Sequence, residues 1–501
     1  VRAGMMGKIP IPALFFFRKR NQDRISLVFF YSHLPEETTM TDFILSRRAF
    51  LAATTTTAII TATGAADAKE KTRTPCINTA RVIPRKLSPN EKLNIAGIGV
   101  GGKGKDDIMS CRSENIVALC DPDWERAGEA FYKLPDAKQY KDYRTMFDEM
   151  ADQIDAVTIS TPDHTHAPAA YWAMMLGKHV RVQKPLTHTI AEARLLTTTA
   201  REKGVVTAMG NQGHAKDAPR EMCEMIWSGA IGQVTEAHAW TNRPVWPQGI
   251  EKRPKGRPVP ETLDWDLWLG TAPRRDCSNR YVPFNWRGWW DFGCGAIGDM
   301  ACHIMDVIFW SLKLGEAPSY SVEVVQQEGL NKETYPNQSI IKYEFPARGD
   351  MPPVTIYWYD GGLFPQWPES AEENTRPKKG GNGTLFVGTD GWLTSGDHAE
   401  VPSLLPLTRM KDFKKPDPVL ERIPNEDSYM HWINACKNGS QAVSHFDHAG
   451  PLTEMANMGN VALAAAEKII FDVASMSITN SKIANKHLTK KYRKGFDFMP
   501  L

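Results

Sequence analysis

The most constraining stretch of this 501-residue chain is Leu93-Asn94-Ile95-Ala96-Gly97-Ile98-Gly99-Val100, an apolar run that gives way to glycines. In the pattern Gly97-x-Gly99-x-x-Gly102, glycines after a strand allow a tight turn, close backbone approach and a helix opening directly behind it. The following segments repeat the theme. Residues 115–120 read as a second strand ending at Asp121, residues 156–160 as a third closed by Thr161-Pro162, and 180–183 and 205–209 as two more. Helical stretches such as 168–176 and 190–203 lie between them. Strands alternating with helices at this spacing predict a parallel sheet with right-handed crossovers. Asp121 stands 19 residues past Gly102. A carboxylate there accepts a hydrogen bond from a ribose 2′-hydroxyl and repels a 2′-phosphate, which predicts a dinucleotide site favouring NAD over NADP.

Beyond about residue 215 the texture changes. Residues 234–242, 321–327, 340–345 and 354–359 alternate apolar and polar side chains over longer runs, predicting an open, mostly antiparallel sheet in a second α/β domain. Residues 244–290 form an insertion rich in Pro, Trp and Arg, 376–383 a Gly/Lys-rich loop, and 452–472 one apolar helix. The expected layout is a Rossmann dinucleotide-binding domain over 91–214, a substrate and oligomerisation domain over 215–450, and a C-terminal helix and tail over 451–501. An open sheet invites a second copy, so a homo-oligomer is expected.

Lys+Arg 60 against Asp+Glu 58 leaves a net charge of +2, which makes no electrostatic case for nucleic acid as a partner. A hydrophobic content of 42% excludes a disordered chain, and apolar runs of membrane-spanning length do not recur. Eight cysteines without a CxxC pair are too sparse for a disulfide scaffold and are expected as buried free thiols. The first 68 residues read as addressing. Ser46-Arg47-Arg48-Ala49-Phe50-Leu51-Ala52 opens a modestly apolar segment that ends at Ala66-Asp67-Ala68, the pattern of a twin-arginine export signal with a small-residue cleavage site. Residues 1–39 are read as an over-long start, 40–68 as the signal peptide and 69–90 as a linker. The expected product is periplasmic or otherwise exported, with no stable membrane span after processing.

Two further motifs, Thr161-Pro162-Asp163-His164-Thr165-His166 and Gln183-Lys184-Pro185, make the chain resemble the Gfo/Idh/MocA oxidoreductases over about residues 91–470. The resemblance implies an NAD-binding Rossmann domain, a C-terminal α/β domain with an open sheet, and oxidation of a hydroxyl on a sugar, glycoside or cyclitol. Gln183 replaces the glutamate usual before the Lys-Pro pair. A second shared element is Asp299-Met300-Ala301-Cys302-His303, entered through the Gly-rich residues 293–298; positions i and i+4 share one helix face. By resemblance, Lys184 polarises or deprotonates the reacting hydroxyl, His303 is the acid/base and Asp299 orients the substrate or the imidazole. Which of Lys184 and His303 carries the proton stays open at this level. Thr161, Pro162, His164, His166, Lys184 and Pro185 are expected beside Gly97, Gly99, Gly102 and Asp121 against the cofactor.

Asn211, Gln212 and His214 follow the 205–209 strand and are expected at the cleft edge as substrate contacts. Arg287 and Trp289 from the Trp-rich insertion are expected beside them, because aromatic faces suit sugar rings and a guanidinium binds polar substituents. His164 and His166 lack a third ligand at suitable spacing, so no metal is expected. Free NAD is not expected outside the cytoplasm, so an exported enzyme of this kind is expected to hold its NAD tightly and regenerate it in every cycle. That favours redox-neutral chemistry. Two other readings are an NAD-dependent glycoside hydrolase or lyase acting through a transient keto sugar, and a non-catalytic sugar-binding protein on the same scaffold.

Overall fold

The computed structural model describes residues 91–498 apart from 379 and 397. The start, export-signal and linker segments, and Cys76, lie outside the described residues.

Strands β1 (Asn94–Ile98), β2 (Asn115–Cys120), β3 (Lys138–Tyr140), β4 (Ala156–Ile159), β5 (His179–Val182) and β6 (Thr207–Met209) form a sheet in the order β3-β2-β1-β4-β5-β6. Every pair in it is parallel. Helices α1 (Lys103–Ser110), α2 (Trp124–Lys133), α3 (Tyr143–Met150), α4 (His166–Met175) and α5 (Ile190–Lys203) connect its strands. Strands covered on both faces can be apolar throughout, as β4 is, with all four residues buried. Helix α5 shows how locally the elements are encoded. Thr189 and Glu192 form a reciprocal capping box at its start, and Gly204 closes it in a left-handed conformation with φ 61°. The strand order reverses between β1 and β4, which opens a crevice at the C-terminal ends of these strands.

The glycine turn sits two residues downstream of the expected register. Gly97 lies inside β1, where Leu119 on one side and Thr158 on the other are its ladder partners. A residue paired on both edges cannot begin the turn. The same glycine spacing is met by Gly99, Gly101 and Gly104. Gly99, with φ 76°, turns the chain and donates its N–H to Cys120 O at 2.8 Å. A Cβ on Gly104 would come within 1.7 Å of the Gly99 carbonyl oxygen, so this glycine sets how closely α1 packs on the turn. Gly102 is the residue before α1 rather than the packing glycine.

The second sheet contains β7 (Val234–Trp240), β8 (Ser319–Glu328), β9 (Gln338–Phe345), β10 (Val354–Tyr359), β11 (Gly383–Gly388), β12 (Gly391–Ser395), β13 (Ser403–Leu405), β14 (Ile469–Asp472) and β15 (Ser477–Ile478). Its order is β13-β12-β11-β7-β10-β9-β8-β14-β15, antiparallel except for the parallel pair β7–β10. The remaining helices are α6 (Asp217–Trp227), α7 (Trp265–Leu269), α8 (Gly295–Ile304), α9 (Asp306–Ser311), α10 (Ser428–Asn438) and α11 (Phe446–Ala465). Strand β9 alternates half-buried and buried residues along its whole length, so one face is core. Ile341, Tyr343, Ile356, Trp358 and Phe386 pack in one cluster with residues of α8 and α11. The opposite face is not bare throughout: Leu363, Phe364 and Trp367 cover Trp240, Tyr359, Leu385 and Leu405.

Helix α11 departs from its expected bounds and role. It begins before the boundary placed at 451 and ends at Ala465; Ala466 turns left-handed at φ 54°, and residues 469–472 become β14 on the edge of β8. The apolar run continues past the helix, but the burial of residues 469–472 alternates as in a strand. The helix also ties the two sheets together. Glu454 takes both Nε and Nη2 of Arg194 on α5, at 2.8 and 2.7 Å. Helix α10 returns to the first domain, where Trp432, Ile433 and Cys436 cluster with Leu93, Ile95 and Leu119. The seven described cysteines are free and buried. Among the described residues, no helix is long and apolar enough to cross a membrane.

The two glycine registers make different predictions. Gly104→Ala forces backbone against backbone and should cost about 1–3 kcal/mol. Gly97→Ala meets only the movable Val100 and Ile108 side chains and should cost less. Denaturant titration of both variants checks the order.

Candidate active site

A cavity of 540 Å³ occupies the crevice and extends from the β1–β4 switch point to α8. Its first end is built from the glycine turn. Gly99, Gly101, Asp121, Ser160, Thr161 and Pro162 line it. The N–H of Gly101 donates to Asp121 Oδ2 at 3.0 Å, and the N–H of Asp123 donates to Oδ1 at 2.9 Å. Burial pushes the Asp121 carboxyl up to about 6, against those hydrogen bonds. A turn with no Cβ at Gly99 or Gly101, an α-helix starting at Lys103 and a carboxylate at the end of β2 fit a dinucleotide: pyrophosphate at the helix N-terminus, ribose on Asp121.

The other end holds charged and aromatic side chains from both domains. Lys184 follows β5, and its peptide to Pro185 is cis. Its Nζ donates to the carbonyl oxygen of Asp299 at 2.8 Å and to Asp299 Oδ1 at 2.9 Å. Arg287 Nε donates to the same Oδ1 at 3.0 Å. Burial opposes ionisation of Asp299, but Lys184 and Arg287 outweigh it and hold the carboxyl well below the usual range. One turn along α8, His303 Nδ1 lies 3.1 Å from Asn211 Oδ1. Burial, and then the Lys184 charge, keep this imidazole well below its ordinary pKa and therefore neutral at pH 7. Lys184, Asp299 and His303 thus line one cleft, as the i, i+4 spacing implied.

Several expected contacts stand elsewhere. His164 and His166 are buried behind the Thr161 turn and do not line the cavity. The ring of His164 lies between the carbonyls of Phe292 and Trp268, and that of His166 between those of Pro185 and Thr161, all within 3.1 Å. They brace the loops that present Thr161 and Lys184. Burial holds their pKa values down at about 3 and about 4. Pro185 lies with them. Asn211 reaches the cleft only through His303. Trp289 is fully buried, its Nε1 donating to Arg280 O. It belongs with Trp268, Tyr281, Trp286 and Phe292 to a small core inside the insertion. Gln212 and Arg287 do line the cavity. His214 instead donates to Asp306 Oδ2 at 2.8 Å, while His448 donates to Oδ1 at 2.7 Å. Among the described residues this His214, Asp306 and His448 group is the one cluster of metal-ligand type. Its short hydrogen bonds satisfy both carboxylate oxygens and pin the loop that carries Asn211.

Sequence reasoning missed other lining residues. Asp163 sits inside the quoted Thr-Pro motif and was passed over. Its Oδ2 accepts the Cys294 N–H at 3.0 Å, and burial pushes the carboxyl up to about 7 although Arg287 pulls it down. Arg243, Trp246, Phe284 and Trp286 reach the cleft from the insertion side; the Trp-rich insertion was expected there, but nothing in the local sequence tells Trp246 and Trp286 from the insertion's core tryptophans. The dinucleotide end has a roof. Leu267, Trp268, Gly270, Thr271 and Phe496 line it. Arg493 holds the C-terminal tail to this roof, its N–H on Thr271 O at 3.1 Å and its Nε on Gly270 O at 2.9 Å. Arg144 donates to Gly495 O at 3.1 Å and lies 4.5 Å from the Phe496 ring centre.

Comparison with known proteins agrees with this geometry. The chain is 25% identical over 235 residues to the levoglucosan dehydrogenase of Pseudarthrobacter phenanthrenivorans, covering 43% of this chain and 50% of that protein. It is 27% identical over 211 residues to the α-N-acetylgalactosaminidase of Shewanella oneidensis, covering 39% and 45%. The chain therefore spans about half the length of these curated relatives. In fold it is similar to an Azotobacter vinelandii inositol dehydrogenase homologue solved with NADH and myo-inositol, with TM-score 0.50, 16% identity, and coverage of 76% of this chain and 98% of that one. Residues 93–211 match the oxidoreductase family's NAD-binding Rossmann fold, and residues 227–345 match its C-terminal α/β domain. Over these two stretches the chain belongs to the Gfo/Idh/MocA oxidoreductase family.

Proposed function

We propose that the protein is an NAD-dependent oxidoreductase acting on a hydroxyl of a sugar, glycoside or cyclitol, with its cofactor tightly held and recycled within each turnover. The observation that carries this reading is the meeting of Lys184, Asp299 and His303 at one end of a cleft whose other end is the Gly99–Asp121 cradle. Bound in that cradle, NAD supplies the hydride acceptor. Lys184 spends two N–H groups on Asp299 and keeps the third for the reacting oxygen. His303 donates Nδ1–H to Asn211, which leaves Nε2 with its lone pair. This assigns the proton to His303 as general base and makes Lys184 the hydrogen-bond donor that stabilises the developing alkoxide. Asp299 positions Lys184 and Arg287.

The roof over the dinucleotide end supports a resident cofactor. The insertion also closes on β2 and α2: Trp124 N–H donates to Thr262 O at 3.1 Å, and Asp264 N–H to Pro122 O at 2.8 Å. The twin-arginine pattern at residues 46–52 supports export of the folded, loaded protein. Recycling by redox-neutral chemistry joins these two features. The matched stretch of an α-N-acetylgalactosaminidase favours glycosidic cleavage through a transient keto sugar as the second reading. Release of free sugar from a glycoside without net NADH separates the two readings. Turnover unchanged by alanine at Lys184 and His303 would instead leave a binding protein.

Purified protein should retain near-stoichiometric NAD(H) through dialysis, measured by mass spectrometry after denaturation, and Arg493→Ala should release it faster. Empty protein that binds NAD weakly would overturn the resident-cofactor reading. Lys184→Met and His303→Gln should each lower turnover about 10²–10⁴-fold while NAD content stays constant. Asp163 has a folded pKa of about 7 against an ordinary 3.8. The folded state therefore holds this proton more tightly, and stability is lost as pH rises from about 4 through about 7. Asp163→Asn, which keeps an acceptor for the Cys294 N–H, should raise Tm more at pH 8 than at pH 5 in protein of matched cofactor content. An equal change at both pH values would contradict the assignment.

A further inference from the structure

We infer that the substrate is a monoanionic sugar derivative, a carboxylate of the uronic acid type, and that Arg243 binds its carboxylate. The inference rests on reading the cleft as a sugar oxidoreductase site and narrows its substrate class. Arg243 follows β7 and lines the cavity together with Lys184 and Arg287. Its backbone is fixed: the carbonyl accepts the Gly361 N–H at 2.7 Å, and its N–H donates to Thr241 Oγ1 at 3.3 Å. Its guanidinium donates to the neutral amide oxygen of Asn242. Among the described residues, no carboxylate pairs with it.

The charges at this end of the cleft do not cancel. Lys184, Arg287, Arg243, Asp163 and Asp299 all line the cavity. Asp299 is shared between Lys184 and Arg287, and one oxygen of Asp163 is committed to the Cys294 N–H. Three cations against one ionised carboxylate, Asp299, and one that burial pushes up to about 7, Asp163, leave at least one positive charge in the lining. A half-buried guanidinium with no counter-ion is poorly solvated, and a ligand carboxylate supplies both the charge and the planar pair of acceptors that its fork matches. Arg287 is not available for that role. Its Nε is on Asp299, and its guanidinium lies among Trp286, Phe284 and Trp246, with ring centres at 4.3, 4.8 and 5.8 Å. These rings form an apolar wall for a sugar face, and Arg243 is the cation free to read a substituent.

The test uses the full-length, NAD-loaded protein. Single-turnover reduction of the bound nicotinamide is followed with D-glucuronate against D-glucose, with D-galacturonate against D-galactose, and with glucose 6-phosphate. In at least one pair the acid should exceed its neutral partner in kcat/KM by about tenfold to a hundredfold, the span of a charged hydrogen bond. The ratio should fall towards one in Arg243→Met, recover in part in Arg243→Lys, and shrink as salt is raised. Neutral sugars reacting as well as the acids, a preference for the phosphate, or a preference that survives in Arg243→Met overturns the inference and leaves the oxidoreductase reading standing. Bound NAD that no acid or neutral compound reduces overturns both.

Discussion

The carboxylate of Asp299 is the interaction on which the rest of this architecture depends. It is half-buried and ionised, and it is shared by Lys184 from the first domain and Arg287 from the insertion. A buried carboxylate is unfavourable unless opposite charge and hydrogen bonds offset its lost hydration. Here Lys184, 115 residues before Asp299, must come together with Arg287, 12 residues before it, to supply them. The ion triad therefore does more than select an ionisation state: it joins the loop after β5 to helix α8 and to the insertion. Lys184 is aimed at the cleft only while α8 is in place.

The scaffold makes that placement stiff. The loop carrying Lys184 and Pro185 is braced from behind by His166, and the Thr161 loop by His166 and His164. Helix α11 locks α5 to the large sheet through the Arg194–Glu454 pair and the close approach of Gly459 to Tyr343. On the far side of His303, the His214–Asp306–His448 network holds the loop that carries Asn211. Lys184, Thr161 and His303 thus each have a supporting residue held in place by its own hydrogen bonds. Such support keeps a catalytic group within the narrow geometry that proton transfer requires.

Much of this was legible along the chain. Five of the six parallel strands and the helices between them are legible in apolar runs and glycines, because a strand covered on both faces must be apolar; β3, three residues long with two of them exposed, leaves no such run. The pairing of Asp299 with His303 follows from helical spacing, and the lysine from its Lys-Pro motif. The glycine register was legible only in part: glycines at 97, 99, 101, 102 and 104 satisfy the spacing twice, and the ladder on both sides of Gly97 decides between them. His164 and His166 looked like cofactor contacts because they sit in a functional motif, yet their partners are backbone carbonyls that local sequence does not reveal. Trp289 looked like a sugar platform for the same kind of reason and is a core residue of the insertion.

The linear pattern carries the locally encoded features: the strand-turn-helix cradle, the acidic residue at the end of the second strand, the parallel first sheet, and the placing of Asp299 and His303 on one helix face. Each is set by short-range backbone geometry or by side-chain periodicity, which a linear pattern carries. Contacts distant in sequence settle which glycine packs α1, which tryptophans face the cleft, that the C-terminal tail and insertion roof the dinucleotide end, and that Arg243 lines the same cavity as Lys184 with no carboxylate partner among the described residues. Those outcomes depend on contacts between segments separated by scores to hundreds of residues. Such contacts are chosen by the burial and charge balance of the whole fold, and no local pattern records them.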